Sequence, residues 1–465
     1  MSEASPLEFH GGLAGAFAPF VLFLAGVGWL GLAGAPDERG FWPVLLAALT
    51  LGLLLARDRS RYCDVVLAGM SRPIVMVMIT AWLLAGALGA VMGRTGFVEA
   101  LIWLARHAHL AGGWYVAASF LICAVVSTST GTSFGTILIC GPLLYPAGAP
   151  VGALPSALIG AILGGATFGD SISPISDTTI SSAGTQEADI GGVVKARLKY
   201  VLPAGVVAVL AALLLGDGAA PAVGAATAAM AGSPRGLPML AVPAFVIALL
   251  LNRRHLVEGL LLGVLAGAVL GVGLGLMPAS ALLRVEPGTF AAQSVIVDGL
   301  NRGVGVSVFT LLLIGMVAGV EATPALTRLV AFARRRTSSA RGAETWIVGA
   351  VSGAVLLTTH SVVAILTVGD FAREAGARFG LSAYRRANLL DITVCTYPFL
   401  LPYFLPTILA ANATASGVAF GMPRVSPLTA GMWNAYSWAL AAMVVFAIVS
   451  GYGRGEHAPE GSGAR

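Results

Sequence analysis

The residues best suited to chemistry lie between Ser127 and Thr179, a stretch that reads STSTGTSFGT, then an apolar segment, then GGATFGDSISPISDTT. Two carboxylates, Asp170 and Asp177, stand among Ser171, Ser173, Ser176, Thr178 and Thr179, directly after the apolar run from Ala157 to Phe168. A carboxylate at the depth of a bilayer is costly unless it pairs, faces water or binds a cation. Pro174 between the two aspartates, with Gly164, Gly165 and Gly169 before them, opposes a continuous helix. Irregular backbone at that depth is tolerated where it lines a cavity. Carboxylate, hydroxyl and carbonyl oxygens suit a hard cation, so sodium is expected at Asp170, Asp177 and Ser173, with Ser176 and Thr178 in support. No sulfur or clustered imidazole points to a transition metal. The plainer reading is that these residues cap helix ends in a turn. Asp170 is the stronger ion candidate, and Asp177, followed by Thr178 and Thr179, reads as either ligand or N-cap.

A second carboxylate recurs late in the chain, where ANLLDIT enters an apolar run punctuated by Pro398, Pro402 and Pro406. Asn388 and Asp391, three apart, share a helical face. They are candidate ion ligands, or else an interfacial pair with Arg385 and Arg386. Of the six histidines only His360 sits in a long apolar run. It reads as a satisfied interior histidine or as a proton relay. Asp370 and Glu374, at helical spacing with Arg373 and Arg378, look like a solvated helix face.

The elements that position these residues must be membrane spans. Of 465 residues, 57% are hydrophobic and 11% charged, where a globular protein has about a quarter charged. Spans of about 20 residues leave room only for short connections. This excludes soluble enzymes and nucleic-acid binders, and the net charge of +5 is ascribed to loops that set orientation. The four cysteines lack C-x-x-C spacing and read as small core residues. An acidic N-terminus before a full-length apolar run does not read as a removable leader.

The expected fold is therefore an all-α integral membrane protein of about 11–13 transmembrane segments in two repeats with broken or re-entrant helices. The expected divisions are 1–36 (tail and first helix), 37–216 (first repeat), 217–236 (Gly/Ala/Pro-rich connector), 237–450 (second repeat) and 451–465 (polar tail). The repeat rests on matched order: Leu53-Leu54-Leu55-Ala56-Arg57 echoes Leu249-Leu250-Leu251-Asn252-Arg253, Thr128-Ser129-Thr130 echoes Thr358-Thr359-His360, and Gly169-Asp170 echoes Leu390-Asp391. Duplicated halves place the substrate site at their interface. Arginine-rich loops at matching places in both halves conflict with an inverted arrangement.

At GTSFGT, FGDSISPISDTT and the later HSVVAILTVGDFAREAGARFGLSAYRRANLLD, the sequence resembles the NhaC-type sodium/proton antiporter family of bacterial inner membranes. The resemblance covers most of the membrane region. It implies a multi-pass carrier exchanging sodium and protons, in some members with an organic acid or amino acid as the true cargo. By matched position it implies roles for Thr132, Ser133, Asp170, Ser173, Ser176, Asp177, Thr178, Asn388 and Asp391. The sequence departs at Ser171, where many relatives have histidine. It departs again at Thr359-His360-Ser361, which replaces an asparagine-containing segment and offers a proton relay or cargo contact. The expected partners are lipid and sodium, with a small carboxylate or amino acid as alternative cargo, no nucleic acid, and a homodimer left open. No cofactor is expected.

In the mechanism these residues suggest, Asp170, with Asp391 or Asp177, alternately holds sodium and protons, because burial disfavours the bare charge and either cation neutralises it. The alternative is sodium-coupled transport of a small carboxylate or amino acid. An intramembrane aspartyl protease is disfavoured, since Thr167 replaces the first glycine of its G-x-G-D signature.

Overall fold

The computed structural model describes residues 6–32, 38–218, 232–252, 254–286 and 291–454. Most of the expected connector (219–231) and tail (455–465), together with Pro36, Asp37 and Arg253, lies outside the described residues.

The first part of the chain forms α1 (Leu13–Leu32), α2 (Phe41–Leu55), α3 (Arg59–Met70), α4 (Pro73–Arg94), α5 (Phe97–His107), α6 (Gly113–Thr130), α7 (Ser133–Leu144), α8 (Pro155–Ile172), α9 (Asp177–Thr185) and α10 (Ile190–Leu215). The second part forms α11 (Ala241–Leu251), α12 (Leu256–Gly273), α13 (Val295–Glu321), α14 (Ala325–Arg336), α15 (Ala340–Thr358), α16 (Ser361–Arg378), α17 (Ala383–Val394), α18 (Leu405–Ala413), α19 (Pro427–Met432) and α20 (Ala435–Ser450). Polar N-caps open many of them: Asp58, Asp189, Ser294, Ser339 and Ser382 each accept a backbone N–H of the first turn. The departure from helix among the described residues is a short antiparallel hairpin, β1 (Arg284–Glu286) with β2 (Ala291–Gln293).

Among the described residues, eight helical stretches are long and apolar enough to cross a bilayer, and a bent pair, Ala383–Leu400 with Leu405–Phe420 at 46°, makes a ninth. Three shorter apolar helices, Phe41–Leu55, Pro234–Leu250 and Ala435–Ser450, accompany them. This is the expected all-α multi-pass build, with eight or nine stretches of spanning length among the described residues where 11–13 segments are expected. Leu214, Val125 and Val269 are more than half exposed, which suits a surface facing lipid rather than water.

Glycines let key helices meet backbone to backbone. A Cβ at Gly165 would lie 2.2 Å from the Phe120 carbonyl oxygen and one at Gly169 2.3 Å from that of Ala124, so α8 lies directly on α6. A Cβ at Gly86 would come within 2.3 Å of the Gly299 carbonyl, and one at Gly299 within 2.5 Å of the Ala87 Cα, which fixes α13 on α4. The Gly160–Gly164 pair packs on Trp433 and Asn434.

Four interruptions organise the interior. Between α6 and α7, Gly131 is left-handed (φ 70) and Thr132 extended (φ −148). Between α15 and α16, Thr359 is left-handed (φ 51) and His360 extended (φ −135). This geometry pairs Gly131 with Thr359, two residues on from the pairing the sequence suggests. The segment Ser173–Ser176, holding Pro174, separates α8 from α9, and the stretch after Cys395 separates α17 from α18.

Candidate functional site

The four interruptions converge on one chamber of about 320 Å³. The first residues of α7, α9, α16 and α18, which are Ser133, Asp177, Ser361 and Leu405, all line it, and α4 closes one side through Val77, Met78, Ala81 and Trp82. Most of the residues singled out in the sequence meet there: Thr132, Ser133, Asp170, Ser176, Asp177, Thr178, Thr359, His360 and Ser361. Helix N-termini carry partial positive charge and free N–H groups. The Thr132 side chain caps α7, whereas α9, α16 and α18 have no side-chain cap.

Asp170 is only 7% exposed. Its Oδ1 has no hydrogen-bond partner, while Ser133 and Ser176 stand beside the carboxylate. The close packing of α8 on α6 at Gly169 is what brings it to the α6–α7 break. Two further buried polar atoms on the chamber wall lack partners, Thr359 Oγ1 and His360 Nδ1. A buried polar group without a partner is costly, and three in one chamber form a site able to receive an ion or polar molecule. Asp177 is exposed to the chamber as the first residue of α9, and Ser176 holds the N-cap position. Ser173 turns away and donates to the Thr128 carbonyl at 2.8 Å.

Asn388 and Asp391 lie behind the chamber wall. Asp391 pairs with Arg197 (Nη2 to Oδ2, 2.5 Å), and both side chains are essentially inaccessible. The same guanidinium donates to Asn388 Oδ1 (2.8 Å), the Ser171 carbonyl (2.7 Å) and Thr179 Oγ1 (2.9 Å). Ser182 Oγ donates to Asp391 Oδ2 at 3.3 Å. Cys395, which does line the chamber, reaches Asp391 Oδ1 at 3.6 Å. Arg197 on α10 thus ties the end of α8, the start of α9 and the middle of α17 together. Sequence reasoning missed it. The available signal was its phase: Lys195 and Lys199 share one helix face, and Arg197 falls between them, on the side of buried Val193 and Tyr200.

Arg385 and Arg386 do not form the surface pair considered for Asn388 and Asp391. Arg385 is buried against Glu344 (3.0 Å) and the Tyr200 hydroxyl (2.6 Å), and Arg386 donates to Gln186 Oε1 at 2.9 Å. Arg373 pairs with Asp370 at 3.3 Å and Glu374 with Arg334 at 2.8 Å, all at the exposed surface. Three of the four cysteines are buried, and Cys63 is exposed.

Broken helices whose ends enclose a buried carboxylate recur among secondary transporters. Residues 40–217 match the model of the Na+/H+ antiporter family. The chain is 27% identical over 234 residues to the Na+/H+ antiporter NhaC of Alkalihalophilus pseudofirmus, covering 48% of this chain and 50% of that protein. It is 26% identical over 184 residues to the malate-2H+/Na+-lactate antiporter of Bacillus subtilis, covering 39% of this chain and 38% of that protein. The matches therefore span half or less of these relatives' lengths. Over these segments the chain is similar to Na+/H+ antiporters.

Proposed function

We propose that this chain exchanges sodium for protons across a bacterial inner membrane, with Asp170 as the group that holds one or the other. The observation that carries this reading is a carboxylate almost removed from water, with an oxygen left without a partner, on the wall of a chamber rich in hydroxyls. Burial makes the bare anion unfavourable, so a proton or a sodium ion neutralises it, and binding one excludes the other. Ser133 and Ser176 supply hydroxyl oxygens beside it, and Asp177, Thr132 and Thr178 lie on the same wall. Asp391 is read as the standing counter-ion of Arg197 rather than a second coupling group. No cofactor is invoked.

The test is Asp170→Asn in proteoliposomes with an entrapped pH-sensitive dye. Sodium-dependent proton movement disappears while the purified protein keeps its helical content. Wild-type exchange in this variant would refute Asp170 as the coupling group.

A second reading, transport of a small carboxylate with sodium, is favoured by the chamber itself. One water needs about 15 Å³ of such space, so 320 Å³ far exceeds the room for one ion and its water. Three uncapped helix N-termini also favour an anion. A relative named for malate and lactate exchange adds weight to this reading. Uptake of labelled carboxylates driven by a sodium gradient separates it from simple cation exchange.

A further inference from the structure

Two more cavities adjoin the chamber in series. Trp82 and Leu138 belong both to its wall and to that of a small cavity of about 50 Å³, which forms a neck. Gly89, Pro142, Arg302 and Ser416 line the neck and also a vestibule of about 800 Å³ beyond it. Small residues keep this line open: a Cβ at Gly93, on the vestibule wall, would meet nothing within 4 Å, and one at Gly89 would already lie 3.1 Å from the Pro142 Cβ.

The charges along this line are unequal. Among the described residues, the vestibule wall carries Arg94, Arg284 and Arg302 against the single carboxylate Asp298, one turn before Arg302 on α13. Arg302 is the charged residue of the neck among the described residues. A cavity whose wall carries an excess of one sign of charge concentrates the opposite sign, and arginines lining a pore favour anions. A guanidinium also matches a carboxylate's two oxygens.

We propose that vestibule, neck and chamber form the access path to the site, and that Arg302 selects anions at the neck, admitting a small organic carboxylate. This rests on the second reading above, in which the chamber takes such a cargo. A carboxylate passing Arg302 is neutralised there, whereas a sodium ion passes against a like charge.

The test follows the path by thiol labelling in a chain carrying Cys63→Ser and Cys395→Ala, with Ser361→Cys as the reporter in the chamber. Anionic and cationic methanethiosulfonates of similar size are compared, with their rates at the exposed Cys63 of a second chain, carrying Cys395→Ala alone, as the reference ratio. The anionic reagent should modify the reporter about fivefold faster than that reference predicts, as expected of a charged funnel. Arg302→Glu should reverse the preference, and Arg302→Gln should return it to the reference. Ser416→Trp, which fills the neck, should slow both reagents at least about tenfold. A preference insensitive to Arg302, or rates insensitive to Ser416→Trp, overturns the proposal. Labelling needs no transport, so the arms separate: charge preference without any carboxylate uptake removes the cargo reading and leaves the path and its selectivity in place.

Discussion

The Arg197–Asp391 pair allows a prediction with a worked magnitude. Replacing Asp391 by leucine strands a fully buried guanidinium, and breaking a buried pair from one side costs about 3–5 kcal/mol. Arg197→Met strands the carboxylate at a similar cost. It also removes the donor from Asn388 Oδ1, the Ser171 carbonyl and Thr179 Oγ1, at about 1 kcal/mol each. The double variant leaves no unpaired charge, so only those three acceptors go unserved and its loss is about 3 kcal/mol. It should therefore be no less stable than either single variant, giving a coupling of at least about 6 kcal/mol in the double-mutant cycle. Denaturation of the purified protein in detergent, followed by circular dichroism, measures all four corners. If the double variant loses the sum of the two singles, the pair is not the closed unit described here. The folded double variant should still exchange sodium for protons, because Asp170 is untouched. Loss of exchange in it would make Asp391 a coupling group after all.

Other outcomes follow from particular contacts. Glu344→Gln removes the carboxylate shared by Arg385 (3.0 Å) and Arg454 (2.5 Å), and should cost about 3–5 kcal/mol, read as a lower melting temperature of the purified protein. Gly169→Ala inserts a Cβ 2.3 Å from the Ala124 carbonyl oxygen. A loss of about 1–3 kcal/mol with weakened exchange is expected, because the shift displaces Asp170; unchanged stability and exchange would contradict the contact. Thr359→Gly relieves a left-handed threonine (φ 51) and should raise stability by about 1 kcal/mol. Transport lost despite a higher melting temperature would assign the Thr359 hydroxyl to a transported species, and a lowered melting temperature would contradict the strain.

The sequence made the interruptions legible because their causes are local. Pro174 and the glycines before it forbid a continuous helix, and a carboxylate in that setting demanded a purpose, so Asp170 could be found without a structure. Asp391 was visible for the same reason, but its role was not, since its partner lies 194 positions earlier and only the folding of α10 against α17 unites them. Arg385 and Arg386 misled for a related reason. Adjacent arginines at the edge of an apolar run look interfacial, yet Glu344 and Gln186, each brought in by a distant helix, allow both to be buried. The register of the two left-handed breaks was two residues away from the sequence pairing, because backbone conformation, carried by glycine in one and threonine in the other, does not show in residue identity.

The glycine contacts carry a mechanical consequence. At Gly165 and Gly169 the backbone of α8 rests on carbonyls of α6, and at Gly86 and Gly299 α4 meets α13 in the same way, so sliding either pair would drive carbonyls into Cα atoms. Contacts this close favour each pair travelling as one plate. The chamber has α4 on one flank and the ends of α6 and α8 on another, so it occupies the joint between the two plates, and tilting one against the other would change which face of the membrane Asp170 sees while leaving the interior of each plate intact.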